Sequence, residues 1–137
     1  MKRIIFCILA AFLLVGCRLF VAEAAELRHL VWDANSEPDL AGYKVYYRFD
    51  PNVATATQGP PFDGTQLLEG DSPITYKLVD LEDPANPMVP ISMPVDGVYD
   101  FVLTAFDLSG MESEFSDHAG HIATENPPMA PTGAAVE

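Results

Sequence analysis

Cysteine is almost absent from this sequence. The 137 residues contain two, Cys7 and Cys17, and both lie near the N-terminus. No thiol follows residue 17, which excludes a disulfide framework and a thiolate metal site from the rest of the chain. A hydrophobic core must therefore stabilise the fold, and a chain of this length can bury one without covalent links.

Basic residues are also few. Lysine and arginine total 7 against 20 aspartates and glutamates, which gives a formal net charge of −13. Affinity for nucleic acid comes largely from clustered lysine and arginine, so nucleic acid is not expected as a partner. We interpret the acidic excess mainly as a solvating surface.

Enzyme signatures are missing as well. The sequence has no Gly-x-Ser-x-Gly, phosphate-loop or dinucleotide motif. His118 and His121 would lie on opposite faces of a strand, which does not make a zinc pair. Residues 33–37 begin like a calcium loop, but Pro38 stands where an EF-hand needs glycine. We predict no catalytic, cofactor-binding or metal-binding residue; weak calcium binding by loop carboxylates stays open.

The N-terminus has the layout of a secretory signal peptide, predicted over residues 1–24. Lys2 and Arg3 precede an apolar run over 4–15, which is too short for a comfortable membrane span. Residues 14–17, Leu-Val-Gly-Cys, resemble a bacterial lipobox, which would make Cys17 a lipidated first residue. Ala22-Glu23-Ala24 offers a competing cleavage site before Ala25. The protein is therefore expected to be exported, either lipid-anchored in the cell envelope or secreted or periplasmic.

The remaining sequence has the two-residue period of half-buried strands. Tyr43, Val45 and Tyr47 alternate with polar or outward residues, and so do Tyr99, Phe101 and Leu103. Turn-forming residues over 33–39 and 107–110 separate these runs, and no helical period is sustained. We predict an all-β antiparallel sandwich over residues 25–124, followed by a proline-rich tail over 125–137.

Particular segments resemble a known family. Residues 30–47, LVWDANSEPDLAGYKVYY, look like the B strand, BC loop and C strand of bacterial fibronectin type III domains. Segments 74–78, 99–107 and 109–116 are similar to the family's E, F and G strands in that order. The resemblance implies an immunoglobulin-like sandwich in which Tyr99 is a corner tyrosine, its hydroxyl tying the EF turn to the strand. The predicted structural core is Trp32, Tyr43, Val45, Tyr47, Leu81, Tyr99, Phe101 and Leu103.

Two segments depart from the family pattern. The linker over 82–96 is long and contains four prolines, so an extended loop or a short edge segment is expected there. Its apolar residues either pack back on the sandwich or form a partner-binding loop made of Met88, Val89, Ile91 and Met93. The tail over 130–136 resembles the family's opening segment displaced to the C-terminus. It is either a frayed end or a strand that adds to an open sheet edge of its own domain or of a neighbouring copy.

These features predict a non-catalytic exported module that binds a protein or a polysaccharide at the cell surface, through its BC and FG loops or through the long linker. The alternative is a structural or assembly subunit of the cell envelope. No cofactor is expected, membrane contact would come only from the signal peptide or a lipid anchor, and self-association is possible.

Overall fold

A computed structural model describes residues 25–123 and shows two antiparallel β-sheets. The strands are β1 (Glu26–Val31), β2 (Leu40–Asp50), β3 (Ile74–Lys77), β4 (Met88–Met93), β5 (Gly97–Asp107) and β6 (Ala119–Ala123), with a 3-10 turn at Leu78–Asp80. The all-β antiparallel prediction is confirmed. The predicted signal peptide, Cys17 and the tail over 125–137 lie outside the described residues.

Strands β2 and β5 form the centre of the larger sheet, whose order is β3-β2-β5-β6; β1 and β4 form the smaller sheet. In β2 and β5 the paired residues Tyr43↔Ala105, Val45↔Leu103 and Tyr47↔Phe101 share one face. This face packs on the inner side of β1 and β4. The buried apolar cluster between the sheets comprises Leu30, Tyr43, Val45, Tyr47, Leu67, Leu81, Val89, Ile91, Met93, Tyr99, Phe101, Leu103 and Ala123.

Strand β3 occupies a different place from the one that the family resemblance implied. Residues 74–78 were aligned with the E strand, which in immunoglobulin-like sandwiches belongs to the sheet of the B strand. β3 instead pairs with β2, with Tyr43 opposite Tyr76, at the edge of the larger sheet. The two-residue period predicted that residues 74–78 contain a strand. It did not indicate which other strand would pair with it.

The proline-rich linker contains the strand that pairs with β1. β4 runs antiparallel to β1 over its whole length, with Glu26 opposite Met93 and Val31 opposite Met88. Pro90 is accommodated because β4 pairs with only one strand of its sheet, so a backbone N–H can be absent without breaking a central ladder. Of the two predicted arrangements, the short edge segment is the one that forms.

A long connection closes one side of the sandwich. Between β2 and β3 the chain crosses to the smaller sheet, where the Leu68 amide donates to the Ser92 carbonyl at 3.2 Å. Leu67 enters the core, and the Tyr47 hydroxyl donates to the Gly70 carbonyl at 2.9 Å while it accepts from the Leu67 amide at 3.2 Å. Residues 64–72, called here the closing segment, thus cover the gap between β2 and β4.

The last strand lies further along the chain than the resemblance implied, since residues 109–116 resemble the G strand but β6 begins at Ala119. In the residues before β6, Ser113 and Ser116 bond to the backbone of β5 where a paired strand would otherwise do so. The Ser113 amide donates to the Ala105 carbonyl, and the Ser113 hydroxyl accepts from the Ala105 amide at 3.0 Å. Ser116 and Leu103 repeat the arrangement at 2.8 and 2.9 Å. A side-chain hydroxyl can accept a hydrogen bond from a strand amide in this way. The β5 amides of Leu103 and Ala105 therefore have acceptors although β6 does not extend to these positions.

Candidate interaction surface at the loop end

Three connections meet at the end of the sandwich where β1 and β5 finish and β2 begins. They comprise residues 32–39, 78–87 and 107–112, and we call this surface the loop end. The Leu108 amide donates to the Asp39 carbonyl at 3.0 Å, and the Trp32 amide donates to the Pro87 carbonyl at 3.3 Å. These backbone bonds hold the three connections together as one surface.

The connection after β5 is held by one carboxylate. Asp107 Oδ1 accepts from the Ser109 hydroxyl at 2.6 Å and from the amides of Ser109 and Met111 at 2.8 and 3.0 Å. These hydrogen bonds, the one from the Ser109 hydroxyl above all, lower the pKa of Asp107. Gly110 adopts a φ of 87°, a conformation that other residues adopt only with strain. The turn is therefore a defined structure that presents Leu108 and Met111 outward.

The connection after β1 is anchored on the core. The Tyr43 hydroxyl accepts a hydrogen bond from the Asn35 amide at 2.9 Å. Trp32 packs edge-on against the Tyr43 ring, with the ring centroids 5.0 Å apart. Trp32 was expected in the centre of the core but is only partly buried at its margin, and its buried indole N–H has no acceptor among residues 25–123.

The loop end carries the three most exposed large apolar side chains of the described chain. Val79, Leu108 and Met111 are 88%, 79% and 70% exposed. Val79 and Leu108 also line one groove of about 620 Å³ beside Lys77 and the start of β2. Scattered exposed apolar residues are ordinary, whereas several on one rigid end are typical of a contact surface.

The same surface is strongly acidic. Its carboxylates are Asp33, Glu37, Asp39, Asp80, Glu82, Asp83, Asp107 and Glu112, and its three segments contain no lysine or arginine. Lys44, on β2, forms an ion pair with Glu112, and the hydrogen bond from Lys44 is the main cause that lowers the pKa of this carboxyl. Lys77 borders the groove. The loop end thus combines apolar contact area with a negative potential.

The outer face of the larger sheet holds a second group of aromatic and polar side chains, which are engaged with one another. The Phe115 ring lies 5.1 Å from the Tyr46 ring and 5.3 Å from the Phe62 ring. The Tyr46 hydroxyl donates to Glu112 at 2.8 Å, and burial, reinforced by this carboxylate, raises the pKa of Tyr46 to about 12. Asp100, buried on β5, accepts from the Gly59 amide at 2.9 Å and contacts His118 Nδ1 at 2.8 Å. These contacts hold neighbouring loops against the sheet.

His121 contacts a different carboxylate from the one that His118 contacts. His121 Nε2 lies 2.9 Å from Glu26 Oε1 at the opposite end of the domain from the Asp107 turn. Within residues 25–123 no group of three or more histidine, cysteine, aspartate or glutamate side chains is arranged to hold a metal ion. The described chain also contains no helix long and apolar enough to cross a membrane.

Of the two arrangements predicted for the apolar residues of the linker, packing back on the sandwich is the one that three of the four candidate binding-loop residues adopt. Val89, Ile91 and Met93 are buried between the sheets, because every second side chain of β4 points inward. Only Met88 is exposed, at 47%, where it lines a groove of about 770 Å³ with Val31 and Trp32 next to the loop end. The remaining predicted core residues, Tyr43, Val45, Tyr47, Leu81, Tyr99, Phe101 and Leu103, all belong to the buried cluster.

Val79, Leu108 and Met111 were not singled out by the sequence analysis. One sequence feature could have indicated an exposed apolar side chain: Leu108 lies between the turn-forming residues Asp107 and Ser109. With this geometry in place, comparison with known proteins gives no assignment: no family model matches the chain, and neither a curated protein nor a solved structure is detectably similar to it.

Proposed function

We propose that this protein is a non-catalytic binding module whose loop end docks on a protein partner. The observation that carries the proposal is the high exposure of Val79, Leu108 and Met111 on connections that meet at one end of the sandwich, where Val79 and Leu108 line one groove. Keeping such side chains in water costs about 1.5–3 kcal/mol each relative to full burial, so contact with a partner would be favourable. The hydrogen-bonded Asp107 turn supports this role, because a preorganised surface loses little entropy on binding.

The chemistry of the surface indicates the chemistry of the partner. The carboxylates around the apolar side chains would pair with lysine or arginine at the rim of the partner's surface. The apolar side chains would contact a hydrophobic centre of that surface. Attraction between such rims would speed association and would weaken as salt is added. A neutral polysaccharide offers neither feature, so a protein fits the loop end better than a glycan.

The proposed setting is the cell surface. It rests on the signal-peptide pattern of residues 1–24, on the lipobox at Cys17 and on the resemblance to bacterial fibronectin type III domains. Two sheets that pack with an antiparallel order around one apolar cluster are compatible with that family. Fold alone does not assign a function, and for this reason the proposal depends on the loop end itself.

The test compares two double variants of the mature domain. Val79→Asp/Leu108→Asp places charges on the loop end, while Val53→Asp/Leu68→Asp makes the same changes at positions 49% and 68% exposed outside it. Binding of each labelled domain to native-host cells that lack their own copy of the gene is measured by cytometry, with and without protease treatment of the cells. Melting temperatures confirm that all variants fold.

We expect the loop-end variant to bind at least about tenfold more weakly than the wild type, because two apolar contacts are replaced by charges that must be desolvated. The control variant should bind like the wild type, and protease treatment should abolish binding. Equal binding by both variants would exclude the loop end. Binding that survives protease but disappears after glycosidase treatment would assign a polysaccharide ligand instead.

A further inference from the structure

The two sides of the sandwich are closed to different degrees. On the side of β4 the closing segment fills the gap between the sheets, with Leu67 in the core and the Leu68 amide bonded to Ser92. On the opposite side β1 and β6 are the outermost strands of their sheets, and each pairs with one neighbour among residues 25–123. We call this second side the open side.

A cavity at the open side reaches into the apolar core. It has a volume of about 200 Å³, and its walls include the core residues Leu30, Ile91, Met93 and Phe101. Arg28 and His121 lie at its rim. A two-stranded sheet is marginal in water, and an unpaired strand edge next to an accessible core favours the addition of another strand. The geometry of the open side is therefore that of a slot for one strand beside β1.

We propose that residues 129–136 of the same chain occupy this slot as a third strand of the smaller sheet. β6 ends at Ala123, opposite Gly97, at the end of the domain where β1 begins. The contact between His121 and Glu26 places β6 next to that same end of β1. The chain therefore leaves β6 on the open side, at the foot of the slot.

The length of the tail suits this path. Residues 124–128 provide the reversal, and prolines 127 and 128 favour a turn or an extended conformation over a helix. Residues 129–136 span about 26 Å when extended, against about 20 Å for the six residues of β1. β6 runs towards the start of β1, so a strand formed after a reversal would run parallel to β1.

The composition of the tail also fits. Residues 126–136 contain no charged side chain, so they can lie over an apolar opening without an unpaired buried charge. Ala130, Thr132, Ala134 and Val136 alternate along the segment and give one face small side chains. Pro131 is compatible with an outermost strand, which has one edge in solvent. A short connection gives the tail a high effective concentration at its own domain, which favours it over the tail of a second copy.

The experiment uses the full mature chain and measures amide hydrogen exchange by NMR. The variant Gly133→Pro/Ala134→Pro removes two consecutive N–H groups, one of which must face β1 if the segment is a strand. The control Gly133→Ala/Ala134→Gly keeps both N–H groups at the same positions. Exchange at β2 and β5 shows whether each variant is folded, and sedimentation at two concentrations gives the oligomeric state.

In the wild type and the control, we expect the β1 amides that do not bond to β4 to exchange at least about tenfold more slowly than in the double-proline variant, in a monomer. Equal exchange in all three proteins would overturn the proposal. Protection that is lost on dilution together with a dimer would also overturn it, because the occupant would then be a second copy. The strand slot is independent of the loop end, so cell binding tests the proposed function separately.

Discussion

At the scale of single residues, Tyr99 ties the connection that precedes β5 to the strand itself. Its ring is buried in the core, and its hydroxyl donates to the Val95 carbonyl at 2.8 Å. Burial is the main cause that raises the pKa of Tyr99 to about 12, because the phenolate would lie in an apolar environment. The hydroxyl is therefore protonated, and able to donate, at neutral pH.

Replacing this hydroxyl should destabilise the domain measurably. Tyr99→Phe leaves the Val95 carbonyl without its donor, and we expect the free energy of unfolding to fall by roughly 1–2 kcal/mol. Urea unfolding followed by fluorescence measures the change. Tyr76→Phe is the matched control, since that half-buried hydroxyl makes no hydrogen bond with residues 25–123 and its removal should change stability by less than about 0.5 kcal/mol. Equal effects of the two substitutions would show that the Tyr99 hydrogen bond is not stabilising.

At the scale of structural elements, β4 shows why the sequence left a strand and a loop as alternatives for one segment. Val89, Ile91 and Met93 have the strict alternation of a strand with one buried face. Pro90 and the prolines that flank the strand are typical of loops, so the sequence predicted either an extended loop or a short edge segment. The conflict disappears in the structure because β4 has only one strand partner, β1.

The closing segment depends on a glycine that touches a core ring. A methyl group on Gly64 would overlap the ring of Tyr47, which is fully buried and has no room to move. The Gly64 amide also donates to the Tyr47 carbonyl at 2.9 Å, so the backbone is held close to that ring. The close approach of the Gly64 backbone to the Tyr47 ring thus holds the closing segment in place.

Gly64→Ala should therefore lower the free energy of unfolding by about 1–3 kcal/mol, the usual cost of overpacking a core. Gly120→Ala in β6 is the control, because the nearest atoms to its added methyl group are 3.6 and 4.0 Å away. Calorimetry should show a lower melting temperature for the first variant and a nearly unchanged one for the second. If Gly64→Ala melts like the wild type, the closing segment does not pack on Tyr47 as described.

At the scale of the whole molecule, net charge and the predicted export bear on how the module is presented. The formal charge of −13 favours a well-hydrated surface and agrees with the acidic character of the loop end. We predict that processing leaves one of two first residues, a lipidated Cys17 that holds the chain at a membrane or an Ala25 that leaves it free. The choice between them is made during processing rather than during folding.

We expect the protein purified from its native host to be exported, with an intact mass that identifies one of two first residues. A mass that starts at a diacylated or triacylated Cys17, together with recovery from membranes, would make it a surface-anchored module. A mass that starts at Ala25, with recovery from the soluble fraction, would make it a freely secreted or periplasmic one. A mass that includes the unprocessed residues 1–24 would contradict the prediction of export. A Cys17→Ser variant provides the control, because it removes only the lipid acceptor.

The all-β class and most of the core could be predicted from the sequence. Tyr43, Val45, Tyr47, Phe101 and Leu103 follow a two-residue period, and this period states directly which face of a strand is buried. The resemblance to fibronectin type III domains added the expected contact of Tyr99, which the structure places on Val95. Both inferences are local, since each depends on residues close together in the chain.

Which strands are neighbours and which surface is available could be seen only in the folded chain. β3 pairs with β2, β4 pairs with β1, and three of the four residues of the candidate binding loop fill the core. Strand pairing depends on hydrogen-bond partners far apart in sequence, about which periodicity carries no information. The loop end arises in the same way: Val79, Leu108 and the surrounding carboxylates meet only because three distant connections converge at one end of the sandwich.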